Sequence, residues 1–192
     1  MSDFSRDSFR ATQNILNEVR GVTATQPDPK HYVSIRLQQG VPLLDADWNE
    51  QEDLRRIELE AVLAGLIGNG APAGSDGFRI QPSLDPRRNL AIAQGLLLID
   101  GWLVYNPVAT DYRDQPHRNT PGVAPALPAL LPTTPTARRE LVYLDAWERL
   151  VNSQEDENLV DQRIGIETAL RVERAWVVRT AVLTSGADPL SP

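Results

Sequence analysis

The pattern of hydrophobic and polar residues changes its period near residue 70. Before that point, apolar residues recur at helical spacing from about Ala46 to Ile67, and the second half of the stretch is almost wholly apolar. Asp45 is a favourable N-cap, because its carboxylate can accept the unpaired amide hydrogens of a first turn. Gly68 and Gly70 would end the helix. The pattern predicts one long, acid-capped helix whose apolar end is buried in a core or against a partner.

After Gly77 the apolar residues follow the two-residue alternation that is typical of strands. Four short strands are predicted, at residues 78–80, 90–93, 96–99 and 102–105. The Asp100-Gly101 pair between the last two is a specific signal for a tight hairpin turn. Two longer strands are predicted at residues 140–151 and 169–184, separated by an acidic loop with a short helical turn.

These elements predict an α+β fold in which one long acid-capped helix packs on a small antiparallel β-sheet or barrel. We expect an N-terminal arm with a short helix at 1–27, then a docking element at 28–70 that joins an extended segment to the long helix. A mostly β domain is predicted at 77–184, with a long proline-rich loop at 107–135. Residues 185–192 have the composition of a linker, so we expect further chain beyond them.

Composition narrows the classes of partner. A formal net charge of -7 and a pI near 4.9 argue against a nucleic-acid surface, which needs clustered basic charge. The same acidity disfavours an anionic membrane, and the apolar runs are too short to cross a bilayer. Lys30 is the one lysine among 19 basic residues. The excess of arginine favours a surface that binds protein, although a high-GC genome produces the same bias.

Motifs for metal and phosphate binding fail on inspection. The segment from Asp45 resembles the start of a calcium loop, but such a loop needs glycine at its sixth position and an acid at its twelfth. Glu50 and Arg56 occupy those positions, and helix capping explains the carboxylates. The glycine-rich run 65–74 follows a helix instead of opening one, so it cannot cradle a phosphate. With no cysteine in the chain, thiolate sites are excluded. We predict no metal and no cofactor.

Catalytic constellations are sparse. His31 and His117 are the only histidines, and both lie in proline-flanked segments. Asp145 and Glu148 lie three residues apart on a predicted strand, so they face opposite sides and cannot form a simple acid/base pair. Alternation instead gives two rows along this strand: Val142, Leu144 and Ala146 on one face, and Tyr143, Asp145 and Trp147 on the other. We predict no catalytic site.

The four tryptophans, Trp48, Trp102, Trp147 and Trp176, fall one to each major element. We expect each to anchor its element in the core, because burial of aromatic rings dominates core energetics. A carbohydrate-binding platform would instead need several exposed, coplanar rings.

Four segments together carry a resemblance: DFSRDSF at 3–9, DPKHYVSIRLQQGVPLLDADWNEQ at 28–51, ARRELVYLDAWERLV at 137–151 and IETALRVERAWVVRTAV at 166–182. They resemble an uncharacterised family of tail-associated proteins that are encoded with contractile injection systems, which are phage-tail-like particles. The resemblance implies a structural role at the baseplate periphery or at fibre and spike attachments, and it implies no chemistry.

The expected partners are other baseplate and tail subunits and further copies of this chain, as a trimer or as six copies. Nucleic acid and membrane insertion are not expected. We expect synthesis in the cytoplasm and assembly into a particle that is extracellular or cell-associated. The docking element supplies the predicted assembly interface, with Trp48 as a buried anchor: His31, Tyr32, Gln38, Gln39, Gly40, Asp45, Asp47, Trp48, Asn49 and Glu50.

Two other functions stay open at this point. A carbohydrate- or receptor-binding module of a tail fibre would use the tryptophans and the loop at 107–135. A cell-wall hydrolase would need acid/base chemistry from His31, His117 or Glu148, for which the spacing offers little support.

Overall fold

A computed structural model describes residues 32–82, 90–119 and 140–182. The predicted short helix, the linker-like tail and most of the proline-rich loop lie outside the described residues. In chain order the elements are α1 (Asp45–Val62), a π-helical turn (Leu63–Ile67), β1 (Ile80–Pro82), β2 (Leu90–Ile92), β3 (Gly95–Ile99), β4 (Trp102–Asn106), β5 (Thr110–Asp111), β6 (Glu140–Val151), a 3-10 turn (Glu157–Leu159), β7 (Val160–Asp161), β8 (Ile166–Glu167) and β9 (Arg171–Val182).

The fold class is α+β, as predicted. The strands form small sheets with the orders β1-β2-β5, β3-β4, β6-β9 and β7-β8. The described residues divide into two compact units. One contains residues up to 73 together with Leu97–Leu103, and therefore holds α1. The other contains Gly74–Leu96 and the residues from Val104 onward, and therefore holds most of the strands.

The helix α1 starts at Asp45, one residue earlier than predicted. Leu44 occupies the N-cap position and no side chain caps the first turn, so the prediction of Asp45 as N-cap is wrong. Asp45 is instead the first helical residue and accepts a hydrogen bond from the next amide, Ala46 N, at 3.0 Å. The acids of the first turn still lie near the positive end of the helix dipole. The π-helical turn that follows stops at Gly68, whose φ of 79° is left-handed.

The turn between β3 and β4 has the geometry that Asp100-Gly101 predicts. Both residues have positive φ, 48° and 84°, as a two-residue turn of type I′ requires. Asp100 N donates to Asn69 Oδ1 at 2.7 Å, which ties the turn to the end of the helical segment. A Cβ added at Gly101 would lie 2.3 Å from the backbone oxygen of Glu60, so glycine is needed here for space as well as for φ.

β6 and β9 form a two-stranded antiparallel ribbon in uninterrupted register. The pairing runs through 12 residue pairs, from Glu140 opposite Val182 to Val151 opposite Arg171. This register places alternate residues of each strand on opposite faces, as predicted for β6. Glu148 lies opposite Arg174 and Asp145 opposite Val177, so the two acids do face opposite sides.

The middle of β9 is the core of the strand-rich unit. Ala175, Trp176, Val177 and Val178 are all buried, which means that both faces of the strand are covered there. The Trp176 ring meets Phe78 edge-on, with centroids 4.8 Å apart, and its Nε1 donates to the backbone oxygen of Tyr105 at 3.2 Å. Of the four tryptophans, Trp176 is the one that fully meets the expected role as a core anchor.

The side chain of Gln115 closes part of the second edge of β9. Its Oε1 accepts from Val178 N at 2.7 Å, and its Nε2 donates to Val178 O at 3.0 Å. The amide therefore satisfies both backbone groups of one strand residue, as a neighbouring strand would. A second bond from Nε2 to Tyr112 O, at 2.9 Å, holds the segment that carries Gln115.

We expect Gly101→Ala to lower the free energy of unfolding by about 1–3 kcal/mol more than Gly68→Ala, because only the former forces a methyl group into a backbone atom. Both glycines have left-handed φ, 84° and 79°, but nothing lies within 4 Å of a Cβ at Gly68. Chemical denaturation of the two variants measures the difference. Equal destabilisation would show that the close approach to Glu60 carries no cost.

Candidate functional site

The segment from residue 32 to 44, here called the arm, lies on the surface and has little structure of its own. It forms neither helix nor strand up to the turn at Gln39-Gly40. Within it the structure shows one backbone hydrogen bond, from Val41 N to Gln38 O at 3.4 Å. Gly40 has a φ of 81°, which explains why glycine stands at this turn. The backbone groups of the arm are thus largely available for other partners.

The arm and the start of α1 expose large apolar side chains that a folded domain would normally bury. Each is between 54% and 73% exposed: Tyr32, Val33, Leu37, Val41, Leu43, Leu44 and Trp48. Leaving apolar surface exposed to water costs roughly 25 cal/mol of free energy for each Å², relative to burying it. Exposed apolar runs of this kind mark interaction sites. The arm-helix surface, meaning residues 32–50, is therefore the candidate site.

The predicted interface residues distribute over this surface as follows. His31 lies outside the described residues. Exposed members are Tyr32, Gln38, Gln39, Gly40, Asp45, Trp48 and Asn49, and half-buried members are Asp47 and Glu50. The structure therefore places most of the predicted set in solvent, where a partner could reach it.

The expectation that Trp48 is a buried anchor is wrong for the isolated chain, since its side chain is 63% exposed. Helix geometry gives the reason. Leu54, Ile57 and Glu60 recur every three residues and form the buried stripe of α1. Trp48 lies six residues before Leu54, about 120° away around the helix axis.

The apolar end of the helical segment is also exposed. Leu59 and Val62 are 58% and 47% exposed, and Leu66 and Ile67 in the π-helical turn reach 82% and 68%. Burial of this end in the chain's own core is therefore wrong for these four residues. The other predicted environment, a partner surface, remains.

A separate charged cluster lies on the ribbon face that carries Trp147. Glu173 accepts from Arg149 at 2.7 Å, and Arg149 also pairs with Glu155. His117 packs edge-on against Trp147, with ring centroids 6.0 Å apart, and its Nε2 lies 3.4 Å from Glu173 Oε1. The two carboxylates of the cluster thus share one arginine, Arg149, in an arrangement expected of charges that hold a sheet face together.

Burial lowers the pKa of His117 below its ordinary value of 6.5. Glu173 opposes this shift by stabilising the imidazolium, while the nearby Arg149 adds to it. The imidazole is therefore held neutral near pH 7 and is most simply a packed ring of the ribbon face.

A cavity of about 470 Å³ lies within the strand-rich unit, lined by Ser75, Asp76, Gln81 and the chain between β2 and β3. Two of its polar side chains are already engaged. Ser75 Oγ accepts from the amides of Gly77 and Leu96, both at 3.2 Å, and Asp76 pairs with Arg79 at 3.0 Å. A hydroxyl that is fixed by two amides, next to a carboxylate that is already paired with an arginine, is not an activated nucleophile.

The described ranges contain no group of three or more His, Cys, Asp or Glu side chains that could hold a metal ion. None of their helices is both long enough and apolar enough to cross a bilayer.

Sequence reasoning missed Gln115, whose side chain closes part of the second edge of β9. No local pattern marks it, because its partner Val178 is 63 residues away. The exposure of the arm could have been predicted from the sequence. Its residues form a strand-like run with no obvious pairing partner next to it in sequence: Tyr32, Val33, Ile35 and Leu37.

The model of a family of unknown function, DUF6519, matches residues 22–188. No curated protein and no solved structure matches the chain.

We expect Trp48→Ala to change the free energy of unfolding by no more than about 0.5 kcal/mol, because the ring is exposed. Ile57→Ala on the same helix should cost about 2–5 kcal/mol, because Ile57 is 1% exposed and its loss leaves a cavity. Denaturant titration of both variants makes the comparison. A comparable loss in the two would mean that Trp48 packs in the chain's own core.

The stability of the protein should fall on acidification in a way that depends on His117. Its lowered pKa means that the unfolded chain takes up this proton first as the pH drops below 6.5. His117→Gln removes this contribution. Between about pH 8 and pH 5, the wild type should lose stability relative to the variant, by at most about 1.4 kcal/mol per pH unit. If the stability of the wild type relative to the variant stays constant or rises as the pH falls, the assignment to His117 is wrong.

Proposed function

The chain belongs to the DUF6519 family, and we propose that it is a non-enzymatic structural subunit of a contractile injection system, a phage-tail-like particle. In this proposal it sits at the baseplate periphery or at a fibre or spike attachment. The arm-helix surface is its main attachment site.

The observation that carries the proposal is the exposure of apolar side chains along the arm and the start of α1. Seven large apolar residues between positions 32 and 48 are more than half exposed. Exposed side chains do not stabilise the core of the chain, whereas an assembly interface needs a set of apolar residues at its centre. Arg36 and the first-turn acids of α1 supply charge beside these apolar residues.

The charged and polar groups of the described residues support a structural role over a catalytic one. Three carboxylates of the ribbon, Asp145, Glu148 and Glu173, are paired with arginines, and Ser75 is fixed by backbone amides. Trp48 is the one tryptophan with a mostly exposed ring, so the rings do not form the platform that carbohydrate binding would need.

The remaining parts of the proposal concern architecture and partners. We propose that the long helix packs on a small antiparallel sheet or barrel. Other baseplate and tail subunits and further copies of the chain, as a trimer or as six copies, are the partners. The chain is made in the cytoplasm and assembled into a particle that is extracellular or cell-associated.

The test is to tag the chain in its native cell, purify it gently, and identify the co-purifying proteins while imaging the eluate. Sheath, tube and baseplate proteins together with rod-shaped particles are the expected result. A soluble chain that never associates with such particles would overturn the proposal.

Trp48→Ala tests the attachment site within the same experiment. If Trp48 is a central contact, its loss should weaken attachment by about 2 kcal/mol or more, about thirtyfold in affinity, and reduce the amount of chain in particles. Tyr105→Ala is the matched control, because Tyr105 is also an exposed aromatic residue, 57% exposed, but lies on β4. Normal incorporation of Trp48→Ala would refute this site.

A further inference from the structure

The arm carries the pattern of a strand but has no strand to pair with. Val33, Ile35 and Leu37 alternate with Tyr32, Ser34 and Arg36. Val, Ile and Tyr are residues that favour strands. In the structure, nevertheless, residues 32–38 belong to no sheet, and their backbone amides donate no hydrogen bond within the part of the chain that is described.

The ribbon offers an edge that lacks a neighbour. Both backbone groups of Val178 point away from β6, because both are bonded to Gln115. Leu144 lies directly opposite Val178, so this is a pair without mutual hydrogen bonds, and the backbone groups of Leu144 point away from β9.

The same geometry repeats every second residue along β6. The outer edge of the strand therefore presents the amides and carbonyls of Val142, Leu144 and Ala146. In the described structure no hydrogen bond reaches these backbone groups. β6 has neither lysine nor proline, and its pairing with β9 has no bulge, so four charged side chains are the protection that its own sequence offers against a further strand.

The two faces of the arm match the two faces of β6. The apolar row Val33, Ile35 and Leu37 corresponds to the apolar row that begins at Val142. The polar row, with Arg36, corresponds to the face that carries Asp145. Asp145 already pairs with Arg179 at 2.8 Å, but its side chain is 40% exposed and so remains within reach of a second arginine. Six extended residues span about 20 Å, which the nine positions of β6 from 142 to 150 accommodate.

We propose that residues 32–37 of one copy add as a strand to the outer edge of β6 in a second copy of this chain. The inference rests on the proposed attachment role of the arm, and it names the partner. A second copy is the occupant because every copy carries both the arm strand, residues 32–37, and the β6 edge that it matches. Main-chain hydrogen bonds supply the binding, and the alternation of the side chains fixes which face of the arm meets which face of β6.

Site-directed cysteines test the proposal directly, because the chain has none of its own. One preparation of the full chain carries Ile35→Cys and a tag, and an untagged preparation carries Val142→Cys. Mixing and mild oxidation should give a mixed disulfide between the two preparations. Leu144→Cys and Ala146→Cys, tested in the same way, locate the register, since only the nearest position satisfies disulfide geometry.

Tyr143→Cys is the matched control. Tyr143 is 42% exposed and adjacent to Val142, but its side chain lies on the other face of β6. Ile35→Cys should therefore couple to the even-numbered positions and lose the mixed disulfide with Tyr143→Cys, and Arg36→Cys should show the reverse. Val172→Cys, which is 58% exposed and lies on β9, measures random collision.

Ala146→Pro gives a second readout without cysteines. Proline removes only the outward amide of β6, so the ribbon keeps its bonds to β9 while the edge loses a donor. Ile35→Pro removes a donor from the arm and leaves β6 untouched. Sedimentation over a range of concentrations should show self-association of the wild type and its loss in both variants.

A wild-type chain that sediments as a monomer at every concentration would overturn the inference. So would disulfides that form equally with Tyr143→Cys and Val142→Cys. Failure here is distinguishable from failure of the proposed function: a monomeric chain that still co-purifies with particles keeps the structural role and refutes the exchange between copies. A self-associating chain that never meets particles does the opposite.

Discussion

The pairing of β6 with β9 is the constraint on which the strand-rich unit depends. Its register decides which side chains share a face, so it also decides that Trp147, Arg149 and Glu173 form one charged cluster. Because β9 is buried on both faces in its middle, the ribbon also supplies the hydrophobic centre of the unit. A slip of one residue would exchange the two faces, burying charge and exposing the core. The apolar packing and the ion pairs therefore select the same register.

The unit that holds α1 also has to place apolar side chains, but it leaves many of them exposed. Its helix buries a narrow stripe through Leu54, Ile57 and Glu60 and leaves apolar side chains exposed at both ends of the helical segment. A chain with a net charge of -7 can carry such surface in solution, because mutual repulsion opposes indiscriminate association. Binding that is specific then has to come from geometry. Backbone groups in the arm and along the edge of β6 provide geometry of that kind.

Elements set by local rules were predictable from the sequence. The two long strands follow from alternation, and the hairpin turn follows from Asp100-Gly101, whose positive φ values few other pairs tolerate. Features set by distant parts of the chain were not predictable. Trp48 looked like an anchor because tryptophan is usually buried, but the stripe that α1 buries passes 120° away from it by the geometry of the helix. The role of Gln115 depends on a partner that only the folded chain brings near.

The ribbon also has a mechanical character. Glu140 and Val182 form the pair at its open end, so the chain enters and leaves the ribbon side by side. Tension that draws these two points apart loads the hydrogen bonds one pair at a time, as a zipper opens. Tension applied along the ribbon, about 40 Å in length, is shared by all the pairs at once. The ribbon thus resists tension along its length much better than tension that separates its two strands. Within a larger assembly, its attachment points have to load it along its length.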